Sequence, residues 1–265
     1  MTPRAARQRL AAAAAIAAVA AAVGASSAAG QYQDEPPARP NPCLDPLQAE
    51  ELHCPDLEMA PPRSMYVTKR GKVLLHATND IRSRGEGPLE VRGRRTSKRY
   101  MSVRQAIHTA GGGRRYFETD GELIFYLIPR QGPYWKFEDA AKFELFAIDP
   151  ATDGRAARVR KGPKLNYCFR DLKRTGSGGP KKRVYPGCSQ DPKRKGRTLG
   201  TSVGWSDIYP AGYYQNWISV KGLRGCFEFV MTADPHNLLF ENDEMNNEGS
   251  VRIRLPAKGR KVRRC

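Results

Sequence analysis

The stretch 64-SMYVTKRGKVLLHA-77 shows the pattern that decides the fold class. Two short runs rich in β-branched and large apolar residues, 65–69 and 73–77, are separated by a glycine-containing interruption. No segment after residue 30 keeps a helical period over a useful length. The same pattern predicts eight further strands, at 89–92, 103–108, 123–128, 143–148, 165–170, 217–220, 226–232 and 251–255. Many short strands at this spacing are typical of an all-β, loop-rich antiparallel sandwich.

Residues 1–29 predict a signal peptide and therefore a secreted, extracellular protein. Arg4, Arg7 and Arg9 precede an alanine-rich apolar run that ends near Val23, and small residues suited to signal peptidase follow. The run is shorter than the ~20 residues that cross a bilayer, so cleavage is favoured over retention as an anchor. No second long apolar run follows, and we expect no transmembrane segment in the mature chain.

The cysteines predict a disulfide framework. An even number in an exported chain favours disulfides, although six cysteines allow many pairings and the sequence alone does not fix them. We expect Cys43–Cys54 and Cys168–Cys188 to close local loops, and Cys226 to bind the C-terminal Cys265. No Cys-x-x-Cys pair occurs and the chain has only four histidines, so the spacing does not predict a metal site built on cysteine.

The charge favours anionic partners. The formal net charge is +18, and basic runs concentrate at 155–197, predicted as one long exposed loop, and at the C-terminus. A positive field slows encounter with lysine-rich substrates and attracts an anionic extracellular surface or polymer. Aromatic side chains that stack on bases are sparse in this loop (Tyr167, Tyr185), so we expect no sequence-specific nucleic-acid recognition. A role of the charge in solubility alone stays open.

Five sequence blocks carry a family resemblance: Pro55-Asp56-Leu57, 164-KLNYCFRD-171, 200-GTSVGWSDIY-209, 215-QNWI-218 and 233-ADPHNLLFENDEMNN-247. In this order they resemble the catalytic domain of the lysyl oxidase family. The resemblance predicts a lysyl oxidase-like domain at 55–255. The composition on either side of it predicts the signal peptide at 1–29, a Pro-rich linker and Cys loop at 30–54 and a basic tail at 256–265.

The family oxidises the ε-amines of protein lysines to aldehydes. It uses copper, held by a His-x-His-x-His run, and a lysine tyrosylquinone made from a lysine and a tyrosine. By resemblance, Lys164 and Tyr209 match the two quinone-precursor positions. A quinone ring is an electrophile to which a neighbouring lysine amine adds.

The copper ligands are where the sequence departs from the family. The His-x-His-x-His run aligns with Gly132, Tyr134 and Lys136, so all three ligand positions lack histidine. Copper at such a site needs imidazole nitrogens. The resemblance therefore implies a catalytically degenerate member without copper or quinone. The alternative, a copper- and quinone-dependent amine oxidase, would need the fold to gather His53, His76, His108 and His236.

The sequence matches the calcium site of the family better than it matches the copper site. In the family, calcium joins the N-terminal Pro-Asp-Leu segment to the C-terminal acidic loop. The matching residues are Asp56, Leu57 (through its carbonyl), Glu241, Asp243, Asn246 and Asn247. Six oxygen donors of this kind suit calcium, although a polar turn capped by Asn and Asp would give a similar pattern.

A third hypothesis assigns enzymatic chemistry to Lys136. Its neighbours Trp135 and Phe137 are large and aromatic. Desolvation by such neighbours would lower the pKa of the amine and make it a nucleophile toward carbonyl groups. This reading competes with the calcium-stabilised binding or structural module.

Overall fold

The structure is a computed structural model that describes residues 39–69, 71–163 and 165–265. The predicted signal peptide, residues 30–38 of the predicted linker, and Lys164 lie outside the described residues. Within the described part, no helix is long and apolar enough to cross a membrane.

The described chain is all-β apart from one short helix, α1 (Pro46–Ala49), and every strand pair is antiparallel. The pairings connect seventeen strands. These are β1 Leu52–His53, β2 Leu57–Met59, β3 Arg63–Thr68, β4 Leu74–Ser83, β5 Leu89–Arg95, β6 Tyr100–Thr109, β7 Arg114–Ile128, β8 Gly132–Ile148, β9 Arg155–Lys161, β10 Leu165–Tyr167, β11 Lys173–Arg174, β12 Gly196–Thr201, β13 Trp205–Tyr209, β14 Trp217–Ser219, β15 Gly225–Ala233, β16 Glu248–Lys258 and β17 Lys261–Arg264. The all-β, antiparallel prediction is therefore confirmed.

β8, the strand that carries the candidate site residues Gly132, Tyr134 and Lys136, pairs with four other strands. Its first half pairs with β7, from Gly132 opposite Ile128 to Phe137 opposite Leu123. Its second half pairs with β15 on one edge and β9 on the other, and β10 joins it near the middle. Because neighbours occupy both edges, β8 has buried residues along most of its length.

Apolar side chains facing inward from these strands form the main core. Phe143 of β8 meets Phe229 of β15 edge to face, with ring centres 6.1 Å apart, and Phe137 packs on Phe169 at 5.5 Å. β16 shows how the sequence produces this arrangement: Ile253 and Leu255 face inward and alternate with exposed arginines. Side chains on a strand point alternately to opposite faces, so a half-polar segment buries one face only.

The three predicted disulfides are confirmed. Cys43–Cys54, Cys168–Cys188 and Cys226–Cys265 are all formed, and no described cysteine is free. Disulfides of this density are characteristic of oxidising compartments.

The ten predicted strands are all present, most of them longer than predicted, whereas the prediction of a long loop in the rest of 155–197, outside the strand at 165–170, is wrong. That region contains β9, β10, β11 and the start of β12. β9 was missed because its arginines and lysine hide the strand pattern. Charged side chains of this kind are common on edge strands, where they block pairing with other molecules.

Candidate functional site

The three positions that match the family's copper ligands lie together on β8. Gly132 begins the strand with φ +95, a left-handed conformation that favours glycine. Tyr134 and Lys136 follow at alternate positions, so they share one face of the strand. Both line a cavity of about 300 Å³, here called the lysine cavity. Its other lining residues are Ile128, Gln131, Cys168, Arg170, Pro186, Gly187, Cys188, Ile208, Tyr209, Pro210 and Tyr213.

Lys136 is a buried lysine surrounded by phenol rings. The residue is 1% exposed, and its Nζ donates a hydrogen bond to the Tyr213 hydroxyl at 2.9 Å. Nζ also lies 5.0 Å from the centre of the Tyr209 ring and 5.2 Å from that of Tyr213, within cation–π range. Burial lowers the pKa of Lys136 to about 7, with Asp207 opposing and Arg170 adding to the shift. A large fraction of the amine is therefore uncharged near neutral pH.

Asp207 and Arg170 lie close to each other beside the tyrosines. Asp207 is fully buried, and burial raises its pKa to about 8 against the influence of Arg170 and Lys136. The nearest cationic atom, Arg170 Nε, is 3.7 Å from Asp207 Oδ1, which is longer than a hydrogen bond. Neither carboxylate oxygen has a hydrogen-bond partner among the described residues.

Tyr209, one of the two predicted quinone precursors, ends β13 and lines the cavity. Its hydroxyl accepts a hydrogen bond from the backbone N–H of Cys168 at 2.9 Å. Its ring centre lies 4.3 Å from that of Tyr167 and 4.6 Å from that of Tyr213. Burial raises the pKa of Tyr209 well above its usual value, so the phenol stays protonated. The predicted partner Lys164 lies outside the described residues, and the predicted pair stays a prediction.

The histidines do not gather at the lysine cavity. His53 and His108 face each other across β1 and β6, and His108 lies 3.4 Å from Glu90. His76 stacks on Tyr66, and His236 is an exposed residue 4.0 Å from Asp139. Within the described ranges, no group of three or more His, Cys, Asp or Glu side chains is gathered at the lysine cavity in a way that could hold copper. The donors at the copper positions, a glycine, a phenol and an amine, do not fit a copper site of this family.

The residues predicted to bind calcium are brought together by β2 and the loop between β15 and β16. Asn246 Nδ2 donates to Asp56 Oδ1 at 2.8 Å and to Asp243 Oδ2 at 3.3 Å. The backbone N–H of Leu57 donates to the Glu241 carboxylate. Two further residues, which the sequence reasoning missed, join this group. The whole set, here called the acidic cluster, is Asn41, Asp56, Leu57, Glu241, Asp243, Glu244, Asn246 and Asn247.

Carboxylates crowd one another in the acidic cluster. Asn41 Nδ2 bonds Glu244 Oε1 at 3.0 Å, and Asn247 Nδ2 bonds Glu241 Oε1 at 3.3 Å. Burial, and then the charge of Asp234, raise the pKa of Glu244 to about 8. Burial also raises the pKa of Glu241 well above its usual value, with the charge of Glu244 as the next cause. Asn247 Oδ1 is buried without a hydrogen-bond partner among the described residues, although the same side chain points at Glu241.

A second cavity, of about 480 Å³, crosses the outer face of β5, β6 and β12. We call it the cationic groove. It is lined by five basic side chains and one carboxylate, Glu118, together with small and backbone groups. The basic residues are Arg92, Arg94, Arg104, Lys195 and Arg197. Strand pairing sets their spacing, because Arg92 lies opposite Arg104, and Arg94 lies opposite Gly196.

The residues of the groove differ in how far they are neutralised. Arg92 is bound to Glu90 at 2.7 Å. Although burial raises the pKa of Glu90, hydrogen bonds from His108, Arg92 and Tyr185 hold it at about 2. Within the described ranges, no carboxylate pairs with Arg94, Arg104, Lys195 or Arg197. The groove therefore keeps an excess of positive charge.

A comparison with protein-family models gives no match for this chain, and a comparison with curated protein sequences gives none either. The lysyl oxidase resemblance rests on the quoted sequence blocks and stays a prediction.

The pKa of Lys136 predicts how stability changes with pH. In the folded protein this pKa is about 7, below the ordinary value of 10.5. Between these pH values the unfolded chain holds a proton that the folded chain releases, so the wild type gains stability as the pH rises. We expect Lys136→Met to raise the free energy of unfolding by about 1–4 kcal/mol at pH 6, because it removes a buried charge.

The amount by which Lys136→Met raises the free energy of unfolding should decrease as the pH rises from 7 to 10.5. Urea unfolding at pH 6, 8 and 10 measures the difference in the free energy of unfolding between the variant and the wild type. Asp207 titrates in both proteins, so the two are compared at each pH. Lys161→Met, at an exposed position on β9, is the control and should change stability by less than about 0.5 kcal/mol. A difference that stays constant or grows with pH would contradict the assignment.

Proposed function

We propose that this chain is an exported, lysyl oxidase-like binding module for anionic extracellular polymers, without copper–quinone chemistry. The single observation that carries the proposal is the cationic groove. Its five basic side chains face one carboxylate, and four of the five have no carboxylate partner among the residues that the structure describes. A cavity of 480 Å³ has the size of a site for a small charged group.

The groove favours phosphate groups among anions. Arginine presents a planar fork of donors that bonds two oxygens of a phosphate at once, which a point charge does not. Four of the five basic residues in the groove are arginines. Their placement on paired strands fixes the spacing of their backbone positions, so only the side chains have to be ordered when the ligand binds. We therefore infer a phosphate-bearing polymer as the ligand class.

Secretion is part of the same proposal. The supporting observations are the signal-peptide pattern in residues 1–29 and the three disulfides of the described chain. Disulfides persist in extracellular compartments and are rare in reducing ones. An extracellular location also gives access to phosphate-bearing polymers of a cell surface.

Calcium would stabilise this module at the acidic cluster. Carboxylate and amide oxygens, with the carbonyl of Leu57, are the donors that calcium prefers. The residues that would supply the other oxygens are Asp56, Glu241, Asp243, Asn246 and Asn247. The crowded carboxylates with raised pKa values and the unpartnered Oδ1 of Asn247 support a cation there. Its role would be structural, because the donors come from β2 and from the loop between β15 and β16.

The donor chemistry of β8 favours this proposal over the copper- and quinone-dependent amine oxidase. Gly132, Tyr134 and Lys136 offer no imidazole, and the described histidines lie elsewhere. In the family, the quinone forms by copper-dependent autooxidation of the tyrosine. No step of that chemistry is assigned to this chain.

We expect the groove to determine polyanion binding. Arg94→Ala combined with Arg104→Ala should weaken the binding of inorganic polyphosphate roughly tenfold, since each substitution removes a charge-assisted hydrogen bond to the ligand. The matched control is Lys181→Ala combined with Lys182→Ala, which removes the same charge from exposed positions outside the groove. It should weaken binding by less than about threefold.

Isothermal titration at several salt concentrations measures both effects. Affinity should fall as salt rises, and the slope should be shallower for the groove variant. Equal losses in the two double variants would overturn the groove as the site. Binding that does not weaken with salt would overturn its electrostatic origin.

Calcium is expected to raise the melting temperature. Saturation at about 100 times the dissociation constant adds roughly 2.7 kcal/mol, which corresponds to about 5–10 °C for a domain of this size. Asp243→Asn removes one exposed carboxylate of the acidic cluster and should reduce the shift, whereas Glu86→Gln, at an exposed position elsewhere, should not. A melting temperature that is the same with calcium and with a chelator would contradict the site.

A further inference from the structure

We propose that Lys136 is a nucleophile that binds small aromatic aldehydes reversibly, as a Schiff base, inside the lysine cavity. This inference is independent of the cationic groove and of calcium. It assigns a covalent binding site to a residue that the polymer-binding function does not use.

The side chain of Lys136 differs from that of another buried lysine on the same strand. Lys142 Nζ lies 3.4 Å from Glu144, as expected of a lysine whose charge is neutralised in place. Lys136 has no carboxylate within ion-pair distance in the described chain, and its hydrogen-bond acceptor is the neutral hydroxyl of Tyr213. Such surroundings do not stabilise a lysine with a purely structural role, because burial without a counter-charge destabilises the ammonium. The same surroundings suit a nucleophilic amine, because they favour the free base, which is the reactive form.

The groups that face Lys136 come from several elements. Tyr209 ends β13, Tyr213 follows it, Arg170 lies after β10, and Asp207 lies on β13. Burial is the main cause of the low pKa of Lys136, and the opposite charges of Asp207 and Arg170 act in opposite directions. The free amine is therefore available near neutral pH, where exposed lysines are almost entirely protonated.

The cavity determines the class of aldehyde. It holds about 300 Å³ beside Lys136 and is lined by the rings of Tyr134, Tyr209 and Tyr213, with Ile128 and Ile208 as apolar neighbours. Aromatic rings pack favourably on one another at offset or edge-to-face geometry. A ring of the size of benzaldehyde would fit among them and place its carbonyl carbon toward Nζ.

The reaction needs no oxidant or reductant. The lone pair of Nζ forms a bond to the carbonyl carbon, and the carbonyl π electrons move to oxygen, which takes a proton as the nitrogen loses one. The resulting carbinolamine then loses its hydroxyl group with a second proton, so one water leaves and a C=N bond remains. The Tyr213 hydroxyl, 2.9 Å from Nζ, is placed to pass a proton between nitrogen and oxygen. Burial keeps its pKa above the ordinary value, so it remains a hydroxyl.

Reductive trapping tests the proposal on the full mature chain. The protein is mixed with benzaldehyde and cyanoborohydride at pH 7, digested with trypsin and analysed by mass spectrometry. Modification of Lys136 blocks cleavage after that residue, so the adduct appears in a peptide spanning 131–142. We expect Lys136 to be labelled at least tenfold faster than any exposed lysine. Its rate should level off above pH 7, whereas the rates of exposed lysines keep rising.

Three variants sharpen the test. Lys136→Met should abolish the fast labelling, Tyr213→Phe should slow it several-fold, and Lys142→Met should leave it unchanged. Site mapping in the wild type keeps the test valid if a variant folds poorly. Labelling of Lys136 no faster than that of exposed lysines such as Lys161 would overturn the proposal. Fast labelling that persists in Lys136→Met would also overturn it.

Discussion

Burial of the Lys136 amine is the constraint on which the lysine cavity depends. Trp135, Lys136 and Phe137 are consecutive on β8 and all are buried, which occurs when both faces of a strand are covered. Transfer of an ammonium group from water into such a site destabilises the charged form unless a partner compensates for it. The surrounding phenol groups compensate only in part, so the amine loses its proton near neutral pH. The lysine thus places a free amine at a position that the resemblance assigns to a copper-binding histidine.

Hydrophobic patterning predicted the core strands because their apolar side chains recur at strand spacing. β15 and β16, with inward-facing Phe229 and Ile253, are examples. The strands that the sequence did not predict are extended for a different physical reason. β9 is rich in arginine and β12 in glycine and threonine, and their strand structure comes from pairing with β8 and β5. Pairing between distant segments is a tertiary property that a local pattern does not contain.

The sites were predictable to different degrees. The proximity of Asp56 to Asn246 followed from the resemblance, whereas Asn41 and Glu244 joined that cluster unpredicted; Glu244 lies within the quoted block and could have been included. The cationic groove was missed because its arginines come from separate strands. For Lys136 the desolvating neighbours were wrongly assigned: Nζ contacts Tyr209 and Tyr213, whereas Trp135 and Phe137 point to the other face of β8.

The most direct test of the central claim is peptide mass spectrometry of Tyr209 and Lys164 in protein expressed with added copper. The claim is that a chain with Gly132, Tyr134 and Lys136 at the copper positions does not form the quinone. The account predicts that Tyr209 and Lys164 are recovered in separate, unmodified peptides. Recovery of the two residues in one cross-linked peptide, carrying an oxidised tyrosine, would contradict it.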